Sequence, residues 1–328
     1  MTVLLTGAAG FIGHHVARAL LASGERVVGI DDCNPYYDVR LKEARLAQLA
    51  RSPGFVFHRL DITDREAILS LFAAEASARH VVHLAAQAGV RYALVDPYSY
   101  PASNVAGHLV ILEAARRLTD LRHLVYASSS SVYGANTTLP FSEGDRVDHP
   151  VSLYAATKRA GELISYAYAH QFALPQTGLR FFTVYGPWGR PDMAYYSFAR
   201  AIVERTPITL YDGGKLRRDF TYIDDIVAGV LGCLDKPPGT SCSPGPPARV
   251  LNIGNHRSEE VATLVALLEA ALGRKAVITC AERPASEVVE TFAATEAIAA
   301  LTGFRPATPL AEGIPRFVAW FRRWHGLE

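Results

Sequence analysis

The sequence predicts an α/β fold, a doubly wound parallel sheet with a smaller α/β subdomain toward the C-terminus. Short β-rich runs alternate with helix-period segments from Val3 to Phe181, and that alternation builds a parallel sheet with helices on both faces. The first run opens straight into a glycine turn, and one more run, Val250 to Ile253, arrives late. The chain therefore leaves the sheet after Phe181 and returns to it.

Val3-Leu4-Leu5 reads as the first strand, Thr6-Gly7-Ala8-Ala9-Gly10-Phe11-Ile12-Gly13 as the turn, and His14 to Ser23 as the helix behind it. A helix N-terminus over such a turn offers N–H groups to an anion. Gly7 allows the tight turn, Gly10 lets backbone approach a pyrophosphate, and Gly13 lets helix pack on strand; the spacing is G-x-x-G-x-x-G rather than G-x-G-x-x-G. His14 and His15 read as surface or helix-start residues. Val27 to Ile30 is the second strand and ends in Asp31, 18 residues beyond Gly13. A carboxylate there accepts from the adenosine ribose hydroxyls and repels the 2′-phosphate of NADP, so NAD is the expected cofactor, with Asp32 an alternative for the same contact.

Phe55 to His58, Val81 to Leu84, Leu124 to Ala127 and Gly178 to Phe181 continue the strand series. The rhythm then breaks at Gly186-Pro187-Trp188-Gly189-Arg190-Pro191, and a Pro/Gly/Ser connector runs from Lys236 to Pro247. These breaks assign residues 1–181 plus about 225–255 to a nucleotide-binding domain, and about 182–224 plus 256–328 to a substrate-binding subdomain with a helix over Val261 to Leu272. Asp224-Asp225, ahead of the apolar run Ile226 to Leu234, is expected to cap a helix.

Composition narrows the function classes. A chain of 328 residues that is 49% hydrophobic and 20% charged can bury a large core. Its formal charge of +1 makes no case for a nucleic-acid surface. Cys33, Cys233, Cys242 and Cys280 are scattered, with neither a disulfide framework nor metal-ligand spacing. The opening apolar run is one strand long and no long apolar span follows, so neither a signal peptide nor a membrane segment is expected and the cytosol is the default.

The chemistry concentrates at Tyr154-Ala-Ala-Thr-Lys158. Positions i and i+4 share one helix face, so the Lys158 ammonium is expected near the Tyr154 oxygen, favouring the phenolate and making a base near neutral pH. Ser152 stands where an N-cap belongs. Ser128-Ser129-Ser130-Ser131 closes a strand and so falls at the carboxyl edge of the sheet, where open α/β folds bind ligands.

Together the glycine turn, Asp61-Ile62, His83-Leu84-Ala85-Ala86, Ser128 to Gly134, Tyr154-x-x-x-Lys158 and Arg218-Asp219-Phe220-Thr221-Tyr222-Ile223-Asp224-Asp225 resemble the extended short-chain dehydrogenase/reductase family over nearly the whole chain. Within it, Tyr36-Tyr37-Asp38-Val39-Arg40-Leu41-Lys42 and Phe181 to Ala194 look like the UDP-glucuronate 4-epimerases. The resemblance implies a Rossmann sheet and an NAD site made by Gly7, Gly10, Phe11, Ile12, Gly13, Asp31, Asp32, Asn34, Asp61, Ile62, Leu84, Ala85 and Ala86. In the family Asp61 and Ile62 meet the adenine, Ala85 lines the nicotinamide side, and Lys158 bridges Tyr154 and the nicotinamide ribose. The catalytic serine matches Ser129, 25 residues before Tyr154, with Ser131 its nearest competitor for the sugar O4. Related 4,6-dehydratases carry an acidic pair after this position and related decarboxylases a glutamate; Ser130 and Ser131 cannot do that work, which favours epimerisation.

The implied reaction interconverts UDP-glucuronate and UDP-galacturonate: Tyr154 takes the O4 proton as hydride leaves C4, and the 4-keto sugar turns over and is reduced on its other face. Arg218 matches the family's diphosphate-binding arginine. Arg190 lies in a Pro/Gly loop, and its forked guanidinium suits a C6 carboxylate. Thr183 stands where many neutral-sugar epimerases have Asn. Arg283-Pro-Ala-Ser-Glu-Val288 departs from the family's Arg/Gln-Pro-Gly-Asp, leaving Arg283 as a possible phosphate contact. The alternatives are a UDP-glucose/UDP-galactose 4-epimerase, a UDP-glucuronate decarboxylase, and a non-catalytic NAD-binding regulator, which in this fold generally lacks the tyrosine or lysine. A two-fold dimer is also implied, through a four-helix bundle using Leu109, Leu112 and Ala115 and the helix carrying Tyr154, Leu163 and Tyr166.

Overall fold

The computed structural model describes residues 1–239, 245–284 and 288–327. Six strands come first: β1 (Thr2–Thr6), β2 (Arg26–Asp31), β3 (Phe55–Arg59), β4 (His80–His83), β5 (His123–Ser129) and β6 (Gln176–Phe181). Between them run α1 (Phe11–Ala22), α2 (Val39–Leu49), α3 (Arg65–Ala74), a short α4 (Ser99–Pro101) that widens into a π-helical turn at Ala102–Gly107, then α5 (His108–Ala115) and α6 (Leu153–Phe172). The second half contains β7 (Thr183–Tyr185), α7 (Ala194–Glu204), β8 (Pro207–Tyr211), β9 (Arg217–Arg218), β10 (Phe220–Tyr222) and α8 (Ile223–Leu234). It continues with β11 (Ala248–Ile253), β12 (Glu259–Glu260), α9 (Val261–Leu272), β13 (Val277–Ala281), α10 (Glu296–Thr302) and α11 (Leu310–His325).

All seven runs read from the sequence are strands of one sheet, ordered β11-β6-β5-β4-β1-β2-β3 and parallel throughout. Alternate side chains leave a strand on opposite faces. Val3 and Leu5 therefore enter one core with Val16 and Leu20, while Leu4 enters the other with Ile111 and Leu112. Burial on both faces is what makes these strands continuous apolar runs. The strand order reverses between β1 and β4, and ligand clefts open at such a switch, beyond the carboxyl ends of the strands. Outside the sheet, β7 pairs with β10, β8 with β13, and β9 with β12.

Three expectations change. His14 and His15 are buried, not superficial; burial pushes them down to about 2 and about 3, and a His15 ring nitrogen lies 3.0 Å from the Pro187 carbonyl oxygen. Their side of α1 faces the Pro187 segment, which no local periodicity reports. Asp224 and Asp225 sit within the first turn of α8 rather than capping it, and Asp225 instead accepts from the Thr308 N–H at 2.9 Å. Leu112 and Ala115 are fully buried in the protein's own core, so of the expected stripe only Leu109 remains outside. The Lys236–Pro247 connector lies partly outside the described residues, as do Ala285, Ser286 and Glu287.

Behind β5 lies a buried polar network. Glu162 on α6 accepts two hydrogen bonds from Arg180 on β6, at 2.8 and 2.9 Å, and one from the Ser128 hydroxyl at 2.6 Å. Arg180 also donates to the Tyr133 hydroxyl at 3.1 Å. Burial opposes ionisation of Glu162, but the Arg180 guanidinium holds its carboxyl below the usual range. Removing one partner of a buried pair strands the other charge. Glu162→Gln should therefore cost about 3–5 kcal/mol of stability, read as a lower denaturant midpoint at unchanged slope.

Candidate active site

A cleft of about 480 Å³ opens at the carboxyl edge of the sheet, walled by the glycine turn, the ends of β2, β4 and β5, α6 and the segment from Thr183 to Met193. Backbone approach explains the glycines. Gly7 has φ +76°, and a Cβ on it would lie 2.8 Å from the Ala85 nitrogen, while a Cβ on Gly13 would lie 2.0 Å from the Gly7 carbonyl oxygen. Gly10 precedes α1 without a side-chain cap. The helix N-terminus is thereby left for an anion, and a diphosphate fits that cradle.

Next to the turn, Asp31 is buried and both of its oxygens are engaged, by the Ala9 N–H at 3.0 Å and the Cys33 N–H at 2.8 Å. Burial pushes its carboxyl up, opposed by the Lys42 ammonium and these N–H donors. Each oxygen keeps a second lone pair for a ribose hydroxyl. Asp32 is exposed and accepts from the Asn34 backbone and side chain, and Asn34 in turn accepts from Lys42 at 3.0 Å. Phe11, Ile12, Asp61, Ile62, Leu84, Ala85 and Ala86 line the same cleft as Asp31, Asp32 and Asn34, so every expected cofactor residue is on one wall system.

At the other end, Ser152 caps α6 by accepting from the Ala155 N–H at 3.1 Å, which sets Tyr154 and Lys158 in its first two turns. The Ser129 hydroxyl lines the cleft with Tyr154 and accepts the Ser131 N–H at 3.2 Å. Ser131 lines the cleft as well. Lys158 is buried, and its ammonium donates to the Ala127 carbonyl at 2.9 Å, 6.0 Å from the centre of the Tyr154 ring. Burial pushes Lys158 down to about 8. Burial likewise pushes Tyr154 up, while the Ser129 hydrogen bond and the Arg190 charge pull it down.

Arg190 lines the cleft with its guanidinium already engaged on one edge. Its Nε donates to Asp192 Oδ1 at 3.0 Å and its Nη2 to Oδ2 at 2.6 Å, and the Tyr36 hydroxyl donates to the same Oδ2 at 3.0 Å. Burial opposes these charges, but each partner holds the other ionised, Asp192 below and Arg190 above its ordinary value. The loop that carries Arg190 is anchored by Arg45, which is fully buried and donates to the carbonyls of Trp188, Gly189 and Ala9 and to the Tyr37 hydroxyl. Thr183 and Arg218 also line the cleft, Arg218 donating to its neighbour's carbonyl at 2.9 Å. Arg283 does not join them; it stands outside the cleft wall beside Asp212, 3.5 Å away.

Sequence reasoning missed Tyr36, Lys42, Gln87 and Met193 as cleft residues, and Arg45 and Asp192 as their supports. Tyr36 and Asp192 fall inside the two segments that carry the resemblance, but nothing local ties residues 156 positions apart. Among the described residues no His/Cys/Asp/Glu group could hold a metal, and Cys33, Cys233 and Cys280 are free.

Sheet, glycine cradle and ribose carboxylate define a dinucleotide-binding enzyme of the Rossmann class. The chain belongs to the NAD dependent epimerase/dehydratase family, whose model matches residues 3–254. It is 45% identical to the probable UDP-glucuronate 4-epimerase of Rhizobium meliloti (strain 1021) over 98% of this chain and 97% of that one. It is 48% identical to UDP-glucuronate 4-epimerase 1 of Arabidopsis thaliana over 99% of this chain and 78% of the plant protein. The crystal structure of UDP-glucuronic acid 4-epimerase from Bacillus cereus, in complex with UDP-glucuronic acid and NAD, superposes with a TM-score of 0.89 at 32% identity, covering 99% of this chain and 100% of that one.

If Asp31 accepts from the ribose hydroxyls, a 2′-phosphate on that ribose would meet its negative charge. The protein should accordingly bind NAD at least tenfold more tightly than NADP, about 1.4 kcal/mol; titration of both cofactors checks this, and equal affinities would refute the role given to Asp31.

Proposed function

We infer that the protein is an NAD-dependent UDP-glucuronate 4-epimerase, converting UDP-glucuronate to UDP-galacturonate through a 4-keto sugar that turns over before it is reduced. The observation that carries this reading is the convergence of Ser129, Tyr154 and the Arg190 guanidinium on one cleft beside the glycine cradle. The names of its relatives and the ligands of the Bacillus cereus structure support it.

NAD, held by the glycine turn, Asp31 and the Asp61–Ile62 and Leu84–Ala86 walls, supplies the acceptor and later the donor of the C4 hydride. Tyr154 removes the O4 proton, and on the return half-reaction gives it back. The Ser129 hydroxyl stabilises the phenolate and orients O4. Arg190 contributes positive charge near the phenol as well as binding the C6 carboxylate, while Arg218 binds the diphosphate. Lys158, held by Ala127, is placed for the cofactor's ribose. Residues 1–181 plus about 225–255 serve the cofactor in this scheme, and about 182–224 plus 256–328 serve the nucleotide sugar.

The same reading assigns the protein to the cytoplasm and to a two-fold dimer. No helix among the described residues is long and apolar enough to cross a membrane. Leu109 on α5 and Leu163 and Tyr166 on α6 are exposed by 40%, 55% and 56%, an apolar face suited to a second copy. Sedimentation should give a dimer at micromolar concentration, and Leu163→Asp a monomer.

Incubation with UDP-glucuronate, with products read by mass spectrometry and NMR, tests the reaction; a pentose product would make the protein a decarboxylase. Tyr154→Phe keeps the ring and removes the base, so turnover should fall by a factor on the order of 10² or more with NAD still bound. Arg190→Ala should weaken UDP-glucuronate binding by about 2–5 kcal/mol and leave UDP binding little changed.

A further inference from the structure

Oxidising a uronic acid at C4 creates a β-keto acid. Its C5–C6 bond can break, the electron pair entering the C4 carbonyl as an enolate, carbon dioxide leaving and C5 taking a proton from solvent. That loss requires the breaking bond to align with the carbonyl π system, so whatever fixes the carboxylate rotamer decides whether hexuronate or pentose emerges. An arginine on a flexible stem cannot do this unless it is itself fixed.

The structure shows how it is fixed. Asp192, two residues along the same loop, takes the Nε–Nη2 edge of Arg190 in a fork, and Nη2 also lies 3.8 Å from the Met193 sulfur, which leaves the Nη1 side for another carboxylate. Asp192 is itself held from a different element by the Tyr36 hydroxyl, and the Arg190 guanidinium lies 6.0 Å from the centre of the Tyr36 ring. Tyr36 is seated in turn. Its oxygen occupies the space where a side chain on Gly89 would lie, 2.2 Å from an ideal Cβ there, and the Tyr92 ring packs edge-on against it at 4.7 Å. Gly89 has φ +93° and its carbonyl receives the Tyr100 hydroxyl.

We propose that Tyr36 and Asp192 are positioning residues that set product fidelity: they lock Arg190 along one edge so that the sugar carboxylate on its other edge keeps one rotamer while the ring turns over. This rests on the reading of Arg190 as the carboxylate clamp. It also gives a physical reason for the two segments that carry the closest resemblance, since Tyr36 lies in one and Arg190 and Asp192 in the other.

Tyr36→Phe removes one hydroxyl, and Asp192→Asn replaces an acceptor with a donor opposite the guanidinium. The NAD-loaded variants are given UDP-glucuronate, and the ratio of decarboxylated pentose to UDP-galacturonate is measured by mass spectrometry and NMR. Both should raise that ratio, Asp192→Asn by about tenfold and Tyr36→Phe by less. A merely structural role would slow turnover at an unchanged ratio, and that result, or a shift in only one of the two variants, overturns the proposal. Arg190→Ala run in parallel separates the two failures. If it shifts the ratio and weakens uronate binding while the other variants do not shift the ratio, the clamp stands and the positioning role falls; if it changes neither, the clamp reading itself has failed.

Discussion

Arg45 is the contact on which the two halves of the cleft depend. A guanidinium removed from water needs all its donors satisfied, and Arg45 meets that demand only when the Ala9 carbonyl, the Tyr37 hydroxyl and the Trp188 and Gly189 carbonyls converge on it. Those acceptors belong to the glycine turn, the segment after β2 and the loop that carries Arg190. The cofactor end and the sugar end are consequently built around one side chain, and neither can shift far without stranding its donors.

The electrostatics of the base follow from burial more than from sequence neighbours. Tyr154 and Lys158 share a helix face, and the Lys158 ammonium donates to the Ala127 carbonyl. What opposes burial at the phenol is the Ser129 hydrogen bond and the charge of Arg190, a residue 36 positions away in a Pro/Gly loop. In the proposed function, binding and proton transfer therefore draw on the same cation: the group proposed to recognise the uronate also bears on the ionisation of the base.

What could be read from the sequence was whatever local chemistry dictates. Seven β-rich runs, the glycine turn and the Ser152 cap follow from propensity, backbone freedom and spacing, and each lies where those rules put it. Tertiary facts were illegible. His14 and His15 look like polar helix-start residues until the Pro187 segment covers them, and Leu112 and Ala115 look like a stripe for a partner until the sheet beneath claims them. Arg190 could be nominated as a carboxylate ligand, but its own carboxylate partner and the tyrosine behind it depend on a fold that brings distant residues together.

Asp31 carries a lesson for redesign. Its two oxygens fasten the Ala9 end of the glycine turn and the Cys33 backbone after β2, so the proposed cofactor discrimination and the loop architecture reside in one carboxyl group. A variant meant to admit a phosphorylated ribose by deleting that charge would also unfasten the cradle for the diphosphate. Specificity at this site is therefore mechanically coupled to loop integrity, and altering it calls for a compensating acceptor for the Ala9 and Cys33 N–H groups as well as a cation for the phosphate.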